Sequence, residues 1–523
     1  MSAPESATPA RPEPLHGLML LLGTLSLSLA TFMNVLDSSI ANVSIPAISG
    51  DLGVSPGQGT WVITSFGVAN AISVPLTGWL TQRFGAVRLI TASIVLFVLT
   101  SWLCGFAPSL EMLVVFRVMQ GLVAGPMIPL SQTLLLSSYP AAKAGTALAL
   151  WGVTTLVAPV VGPLLGGWIT DNVSWPWIFY INVPVGLASA GLTWWIYRKR
   201  ETPTRKLPID TVGLTLLVLW VGALQLMLDK GKELDWFAST EIVALAVVAL
   251  ISFVVFVVWE LTDKHPVVDL RLFKGRNFAF GVLALSVAYG LFFGNVVLMP
   301  LWLQQWMGYT ATSAGMALAP VGLFAILLTP LVGKKVGQWD PRRMATGAFL
   351  MFSLVLWLRS QFTLQTDFDH ILWPTLMQGG AMAFFFIPLT TLTLSGQPPE
   401  RIPAAAGLSN FVRIMAGAMG TSIATTLWDS RASMHHAHLT EALTPTNPLF
   451  MSTLDGLKAS GLTAEQALVQ MNRLIDQQAY TRAADDVFLA SSVVFILLIA
   501  LIWLTRRPAA HPTAAAPDAG GAH

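Results

Sequence analysis

The chain alternates between long apolar runs and short polar connections, and fourteen of the runs are long enough to cross a bilayer. One helical crossing needs about 20 predominantly apolar residues. The runs span residues 16–41, 60–80, 88–106, 112–134, 146–169, 177–197, 211–229, 240–259, 278–301, 313–333, 344–362, 371–395, 404–428 and 486–505. The pattern predicts an all-α polytopic membrane protein with fourteen transmembrane helices.

Positive charge concentrates in the connections on one side of this predicted membrane domain. Those connections include the segments TQRFGAVR, YRKRETPTRKLP and KKVGQWDPRR. Because Lys and Arg favour cytoplasmic loops, the N-terminus is predicted to be cytoplasmic, and the even number of spans places the C-terminus there too. Residues 1–15 and 506–523 read as disordered tails. The one long connection, 429–485, lies on the opposite side and contains an amphipathic stretch that is predicted to be helical.

Composition supports the membrane class and argues against several others. The 523 residues are 54% hydrophobic and 11% charged, with a mean hydropathy of +0.66. A formal net charge of +2 gives no indication of a nucleic-acid partner. The single cysteine, Cys104, excludes an internal disulfide. No phosphate-binding loop of the GxxxxGK[ST] type is present, which argues against ATP as an energy source, and no cofactor is predicted.

Enzymatic and metal-binding functions find little support in the sequence. All eight histidines lie outside the predicted spans or at their ends, so a serine–histidine pair buried in the membrane is not available. Intramembrane aspartyl catalysis would need two facing aspartates, and one deep aspartate is predicted. His435, His436 and His438 could bind a metal only if helical register allowed them to converge. We interpret them as part of a polar turn, and predict no metal site and no enzyme.

Asp37 is the one acidic residue that the pattern places well inside a span, where a carboxylate costs on the order of 3 kcal/mol. Arg117 lies on the fourth predicted span, which runs in the opposite direction. Asp37 is expected about 6 Å and Arg117 about 8 Å below the same membrane surface. We predict that Asp37 carries a proton and that Arg117 adjusts its proton affinity. The alternatives are that Asp37 caps its helix or bonds to Asn34 or Asn42, and that Arg117 only ties helices together.

Four segments of the first half carry a specific resemblance. In chain order they read LDSSIANVSIP, GWLTQRFGAVR, FRVMQGLVAGP and APVVGPLLGG. Together they resemble the major facilitator superfamily, and in particular its fourteen-span drug:proton antiporters. The similarity extends over roughly residues 15–505 and includes loop segments such as LDKGKELDWF and LSGQPPER.

The resemblance implies an architecture of two six-helix bundles with two additional helices between them. The bundles are expected over residues 16–197 and 278–505, and the linker with the two extra helices over 198–277. Each bundle would consist of inverted three-helix repeats around a central cavity that opens alternately to the two sides. The connection 429–485 would be periplasmic and belong to the second bundle.

The resemblance also implies a function. It predicts proton-driven export of hydrophobic or amphipathic compounds from the inner membrane of a bacterium. The expected partners are protons, lipophilic small molecules, the lipid bilayer, a periplasmic membrane-fusion adaptor and an outer-membrane channel. Two other functions remain open: a dedicated exporter of one metabolite or fatty acid with the same machinery, and a membrane receptor or scaffold that transports nothing.

Two motifs carry further expectations from the family. On the fifth span, Gly162, Gly166 and Gly167 allow close backbone approach and Pro159 and Pro163 bend the helix. In the family this segment marks exporters, whereas ordinary close packing is the alternative.

The loop after the second span is the other motif. It contains Gly78, Arg83, Gly85 and Arg88. Gln82 stands where the wider superfamily has an aspartate, so Arg83 and Arg88 are expected to lack their acidic partner.

Candidate residues for the cargo cavity are sparse polar and aromatic side chains in otherwise apolar helices, which suits hydrophobic cargo. Packing is the alternative role for each of them. They are Asn34, Trp61, Asn70, Gln132, Trp151, Asn295, Gln378, Phe385, Asn410 and Arg413.

Overall fold

The computed structural model describes residues 13–507 apart from 141–143, 205–207, 232, 264–265, 336–338, 399–400, 442 and 445. The described part is helical. The helices of the first half are α1 (Gly17–Ile40), α2 (Ile45–Asp51), α3 (Pro56–Gly59), α4 (Trp61–Phe84), α5 (Ala86–Gly105), α6 (Leu110–Ala124), α7 (Met127–Ser138), α8 (Ala144–Asn172), α9 (Trp177–Tyr180) and α10 (Asn182–Tyr197). Those of the second half are α11 (Thr211–Lys230), α12 (Thr240–Thr262), α13 (Arg276–Gln305), α14 (Ala311–Leu318), α15 (Pro320–Lys335), α16 (Pro341–Arg359), α17 (Phe368–Leu394), α18 (Ile402–Glu441), α19 (Pro448–Ala459) and α20 (Ala464–Trp503).

Fourteen helical crossings are present in the described part of the chain. Two of them consist of consecutive helices, α6 with α7 and α14 with α15. Each break falls at a proline, Pro126 and Pro320, because proline has no N–H to continue the helical ladder and its ring clashes with the preceding turn. Ten candidate spans are long and apolar enough for a membrane by length and composition alone. The predicted all-helical membrane fold is confirmed.

The crossings α1, α4, α5, α6–α7, α8 and α10 pack into a first bundle, and α13, α14–α15, α16, α17, α18 and α20 pack into a second. The core of the second bundle is rich in aromatic rings. Phe352 stacks on Phe495 at a centroid distance of 4.9 Å and meets the edge of Phe385 at 5.7 Å. Such pairs stabilise a core beyond the area they bury.

The two additional helices, α11 and α12, pack against each other beside the bundles. Trp220 of α11 contacts Phe253 and Phe256 of α12, with ring centroids 5.1 and 6.1 Å apart. On its other side α11 contacts α4 of the first bundle and α18 of the second. The inserted helices therefore border the line along which the bundles meet.

We call the end of the molecule at which both ends of the described chain lie the termini face. The opposite end, at which α18 and α20 extend beyond the bundle, is the hairpin face. At the termini face, the backbone N–H of Leu15 donates to Ser138 at 2.9 Å and Arg276 donates to the carbonyl of Leu504 at 2.6 Å. At the opposite hairpin face, α18 and α20 continue past the bundle as an antiparallel helical pair that α19 joins. Each has 40 residues, or about 60 Å, against about 30 Å for a hydrocarbon core.

The predicted connection 429–485 is thus mostly helix that continues two membrane spans. The expected polar turn at His435, His436 and His438 is wrong, because α18 runs without interruption to Glu441.

Two hydrogen bonds between described residues join the bundles at the hairpin face. Gln304 at the end of α13 donates to the carbonyl of Val43 just beyond α1 at 2.9 Å. Asp171 of α8 accepts from the backbone N–H of Thr312 in α14 at 2.7 Å. These contacts close the hairpin face between the two bundles in this conformation.

Candidate functional site

Asp37 and Arg117 form an ion pair inside the first bundle. The Arg117 Nη1 atom, on α6, donates to Oδ2 of Asp37 on α1. Both side chains are 0% exposed. The predicted pairing of the two charges across antiparallel helices is therefore realised in the structure, and solvent reaches neither group in this conformation.

The second carboxylate oxygen of Asp37 is held by two amides. Gln120 Nε2 on α6 donates to Oδ1 at 3.1 Å, and Asn182 Nδ2 at the start of α10 donates to the same atom at 2.9 Å. Asn182 also donates to the Ser101 hydroxyl of α5 at 3.0 Å. Three helices, α1, α6 and α10, thus meet at one carboxylate, α5 holds one of its amide partners, and the position of the carboxylate depends on how they are arranged.

Arg117 has its own set of partners. Its Nε donates to the Val62 carbonyl of α4 at 2.8 Å, and Nη1 also donates to Gln120 Oε1 at 2.7 Å. The guanidinium lies 4.2 Å from the centroid of the Phe66 ring, a cation–π contact. The Nη2 atom is buried and has no hydrogen-bond partner among the described residues.

The alternative roles for Asp37 find no support in these contacts. Asn34 donates to the Ala124 carbonyl at 3.0 Å rather than to Asp37. The buried Oδ1 atom of Asn42 has no partner among the described residues. Asp37 therefore bonds to the arginine and amides of other helices.

Gln120, Asn182 and Ser101 are not among the residues that the sequence predicts for this site. Gln120 had a usable signal, because it lies three residues after Arg117 and so shares its helical face. Asn182 lies 145 residues from Asp37 along the chain, and no periodic pattern connects them.

A buried ion pair of this kind can respond to protons. Removing one partner leaves an uncompensated charge in an apolar interior, which costs about 3–5 kcal/mol. If a movement of α1 against α6 separates Asp37 from Arg117, a proton on the carboxylate removes much of that cost. The site can thus link a helix rearrangement to the binding of one proton.

The glycines of α8 permit two close helix crossings. A Cβ atom at Gly166 would lie 2.5 Å from the Ile40 carbonyl oxygen of α1, within the first bundle. A Cβ atom at Gly167 would lie 2.4 Å from the Ala311 carbonyl oxygen of α14, in the second bundle. Gly162 faces Ser39 of α1. One side of α8 thus packs closely against α1 in the first bundle, and its other side packs closely against α14 in the second bundle.

The prolines of the motif are less informative. Pro163 is buried, and its carbonyl faces Gly315 of α14. The side chain of Pro159 lies outside the described residues.

The loop motif at the termini face has an acidic partner after all. Glu201, just beyond α10, accepts from the backbone N–H groups of Val87 and Arg88 at 3.0 and 2.9 Å. The Arg88 side chain lies 3.9 Å from the same carboxylate. The expectation that Arg88 lacks an acidic partner is wrong, because a residue distant in sequence replaces the missing aspartate. Gly78 and Arg83 are exposed.

Gly85 explains why the Glu201 carboxylate can approach so closely. Its φ is +90°, a region that favours glycine. A Cβ atom there would also lie 2.4 Å from the Glu201 carboxylate.

Several predicted cavity residues are in fact buried within the bundles. Phe385 is 2% exposed and packs in the aromatic core. Asn295 donates to the Leu291 carbonyl and to Ser491, which satisfies it inside the second bundle. Asn34, Asn70 and Gln378 are also buried. These five side chains are thus buried in this conformation, and their contact with cargo stays a prediction.

Trp61 and Gln132 are partly exposed, and the side chain of Trp151 lies outside the described residues.

Arg413 and Asn410 are accessible on α18. Arg413 donates to Asn410 Oδ1 at 3.0 Å, and its guanidinium lies 4.7 Å from the Tyr289 ring of α13 and 5.5 Å from the Phe386 ring of α17. No carboxylate of the described chain forms an ion pair with it. The buried Nε atom has no partner among the described residues. Arg413 is thus a positive charge beside two aromatic rings, and its guanidinium retains a donor that no described residue accepts from.

The comparison with known families decides the identity of the fold. The model of the Major Facilitator Superfamily matches residues 27–421. The chain belongs to the major facilitator superfamily. Solved structures agree on the fold: a bacterial homolog of the human lysosomal transporter Spinster, in an inward-facing and unoccupied conformation, superimposes with a TM-score of 0.61 at 17% identity, covering 94% of this chain and 97% of that one.

Relatives within the superfamily cover nearly the whole chain. Multidrug export protein EmrB of Escherichia coli strain K12 is 52% identical over 512 residues, which is 98% of this chain and 99% of the relative. Fatty acid resistance protein FarB of Neisseria gonorrhoeae is 50% identical, with 95% of this chain and 98% of the relative covered.

Proposed function

We propose that this superfamily member is a proton-driven multidrug efflux transporter, a drug:H⁺ antiporter that exports hydrophobic or amphipathic compounds. The observation that carries the proposal is the ion pair between Asp37 and Arg117, sealed within one bundle of a transporter fold. The 52% identity to a multidrug export protein supports it. A receptor or scaffold would gain nothing from an expensive buried carboxylate at this position.

We place the protein in a bacterial inner membrane with the termini face toward the cytoplasm. The bias of Lys and Arg toward loops of that face supports this orientation. The hairpin face is then periplasmic, and it is the face at which hydrogen bonds join the two bundles in this conformation.

In the proposed cycle Asp37 gains a proton when its site communicates with the periplasm and loses it on the cytoplasmic side. Arg117, Gln120 and Asn182 hold the carboxylate in the closed arrangement. Each proton that enters across 100 mV supplies about 2.3 kcal/mol. Tenfold accumulation requires about 1.4 kcal/mol, so one proton per cycle suffices for substantial export.

A second candidate function is the export of one carboxylate-bearing metabolite or fatty acid. The unpaired guanidinium of Arg413 beside Tyr289 and Phe386 favours an anionic head on an apolar body. The relative named for fatty acid resistance agrees with this reading.

Substitution of Arg413 separates the two candidates. We expect Arg413→Gln to reduce oleate efflux about tenfold, the loss of one charge-assisted bond, and to leave efflux of a neutral dye unchanged. Arg401→Gln, an exposed arginine just before α18, is the matched control. Equal losses for oleate and dye would contradict selective binding of carboxylates at Arg413.

We further propose that the helical hairpin docks a periplasmic adaptor, which in turn meets an outer-membrane channel. The hairpin has its own small core around Leu454, Ala467 and Met471, and it exposes Leu468 and Val469. Replacing residues 442–463 by a short linker removes its tip and leaves both spans intact. Unchanged adaptor binding by that variant would refute docking at the tip.

The experiment that tests the overall function uses an efflux-deficient bacterial strain that carries this chain with and without its adaptor. Growth is measured across a panel of lipophilic toxins. Broad resistance supports multidrug export, and resistance to one compound class supports the second candidate. Absence of resistance, together with absence of dye-driven proton movement in proteoliposomes, would overturn both.

A further inference from the structure

A half-buried carboxylate lies where the inserted helix meets both bundles. Asp229, near the end of α11 at the hairpin face, accepts from Thr64 Oγ1 of α4 at 3.0 Å and from Gln225 Nε2 at 2.8 Å. It also accepts from the Ser422 hydroxyl of α18. One side chain thus joins the first bundle, the added helices and the second bundle.

No positive charge in the described part of the chain compensates Asp229. Among the described residues no Lys, Arg or His forms an ion pair with it. Its neighbour Lys230 instead pairs with Glu241 of α12 at 3.0 Å. Glu233, just beyond α11, has the same sign and accepts from Gln58 at 3.2 Å.

The elements packed against Asp229 offer no cation either. The one charged residue of α4 is Arg83, at the other end of that helix. On α18 the charges on either side of Ser422 are Arg413 and Asp429, two or more turns away along the helix. Closing the bundles around an ionised Asp229 therefore carries a desolvation cost that no opposite charge among the described residues offsets.

The hydroxyl partners of Asp229 can bond to its carboxyl group whether or not that group carries a proton. Thr64 Oγ1 also faces the Trp61 carbonyl at 3.5 Å, and Ser422 Oγ faces the Ala418 carbonyl at 3.4 Å. Because a hydroxyl both donates and accepts, either group can turn to its carbonyl and accept from a protonated carboxyl. Every polar atom of these hydroxyls is then satisfied in both protonation states.

We propose that Asp229 is a second proton-binding residue, through which the inserted helix α11 links closure of the hairpin face to protonation. The proton adds to a carboxylate oxygen from solution when that face is open, and closure retains it. It leaves toward the same side when the face opens, so it is not transported and does not change the coupling ratio. The role rests on the proposed proton-driven transport, which Asp37 carries separately.

The test measures the distance between the bundles as a function of pH. Spin labels at Asn172→Cys and Thr310→Cys report the gap at the hairpin face by pulsed electron paramagnetic resonance in nanodiscs. The native Cys104 is buried and stays in place. One linked proton changes the closed-to-open ratio by up to about tenfold per pH unit. In the unsubstituted background we expect closure to increase by about tenfold or more from pH of about 8.5 to about 5.5.

Asp229→Asn should stay closed and lose the increase in closure toward acid, since it lacks one linked proton. A pH response that remains in this variant belongs to Asp37 and runs toward opening in acid. Asp235→Asn is the matched control, an exposed aspartate six residues later whose backbone φ of 54° suits asparagine, and it should titrate normally. Thr64→Val keeps the Asp229 carboxyl group but removes one hydrogen-bond donor to its charged form. It should therefore raise the midpoint of the pH-dependent closure by about one pH unit.

An increase in closure toward acid that persists in Asp229→Asn and disappears in Asp37→Asn would overturn the role of Asp229 and leave the proposed transport intact. Absence of any pH response in the unsubstituted background would also overturn it. Proton-driven efflux in proteoliposomes, measured on the same preparations, decides the proposed function independently.

Discussion

The crossing of α8 and α14 makes a sharp prediction, because it joins the two bundles backbone to backbone. A Cβ atom at Gly315 of α14 would lie 2.2 Å from the Pro163 carbonyl oxygen of α8. Ordinary van der Waals contact begins at 3.4 Å, so Gly315→Ala requires 3.4 − 2.2 = 1.2 Å of separation. The atoms that a Cβ at Gly315 would meet belong to the α8 backbone. No flexible side chain can therefore move aside to relieve the overlap.

Overpacking of this kind costs about 1–3 kcal/mol. The cost arises only while the hairpin face is closed, so it shifts the conformational equilibrium rather than the unfolding equilibrium. At 1.4 kcal/mol per factor of ten, the closed-to-open ratio should fall about 5- to 150-fold. Export should decline because the protein returns less often to the state that loads cargo from the cytoplasm.

The assay combines the spin-label distance between the bundles with dye efflux from cells, at equal amounts of protein in the membrane. Gly347→Ala is the matched control, since no heavy atom lies within 4 Å of its Cβ position in α16. That control should gain up to about 1 kcal/mol of helix stability and keep its bundle spacing. An unchanged closed population in Gly315→Ala would refute the claim that this backbone contact forms only while the hairpin face is closed.

Two further substitutions test the termini face. Glu201→Ala removes the acceptor of two N–H groups at the start of α5, and we expect a loss of about 1–2 kcal/mol in a thermal unfolding scan. An unchanged melting temperature would contradict the capping role. Asp340 accepts from Arg342 Nη2 at 2.8 Å, and that hydrogen bond lowers the pKa of Asp340 from its ordinary value of 3.8. The stabilisation is therefore present above about pH 4 and is lost as pH falls through the lowered pKa. Asp340→Asn should melt at a lower temperature at neutral pH and converge with the unsubstituted chain in acid, and a constant difference at all pH values would refute this.

Sequence patterns predicted the crossings and the charge pair well, because both depend on the cost of placing polar groups in lipid. Asp37 and Arg117 stand out against apolar helices, and the antiparallel direction of their spans sets their depth. Gln120 follows from helical periodicity once Arg117 is chosen. These features are local along the chain and need no knowledge of tertiary packing.

Other parts of the site depend on packing that no local pattern encodes. Asn182 and Glu201 reach their partners from segments distant along the chain. Phe385 and Asn295 face inward because of the rotation of their helices, which hydropathy leaves undefined when a helix is apolar all round. Asp229 is the last residue of the predicted span 211–229, and its contacts with Thr64 and Ser422 become visible only when α4, α11 and α18 are brought together.

The central claim is that the buried carboxylate of Asp37 couples protons to export. Its most direct test is proton release driven by a lipophilic dye, rhodamine 6G, from proteoliposomes that contain the unsubstituted chain or Asp37→Asn. The account predicts proton release from the first and none from the second, with dye binding unchanged within about twofold. Full proton-coupled transport by Asp37→Asn would contradict it.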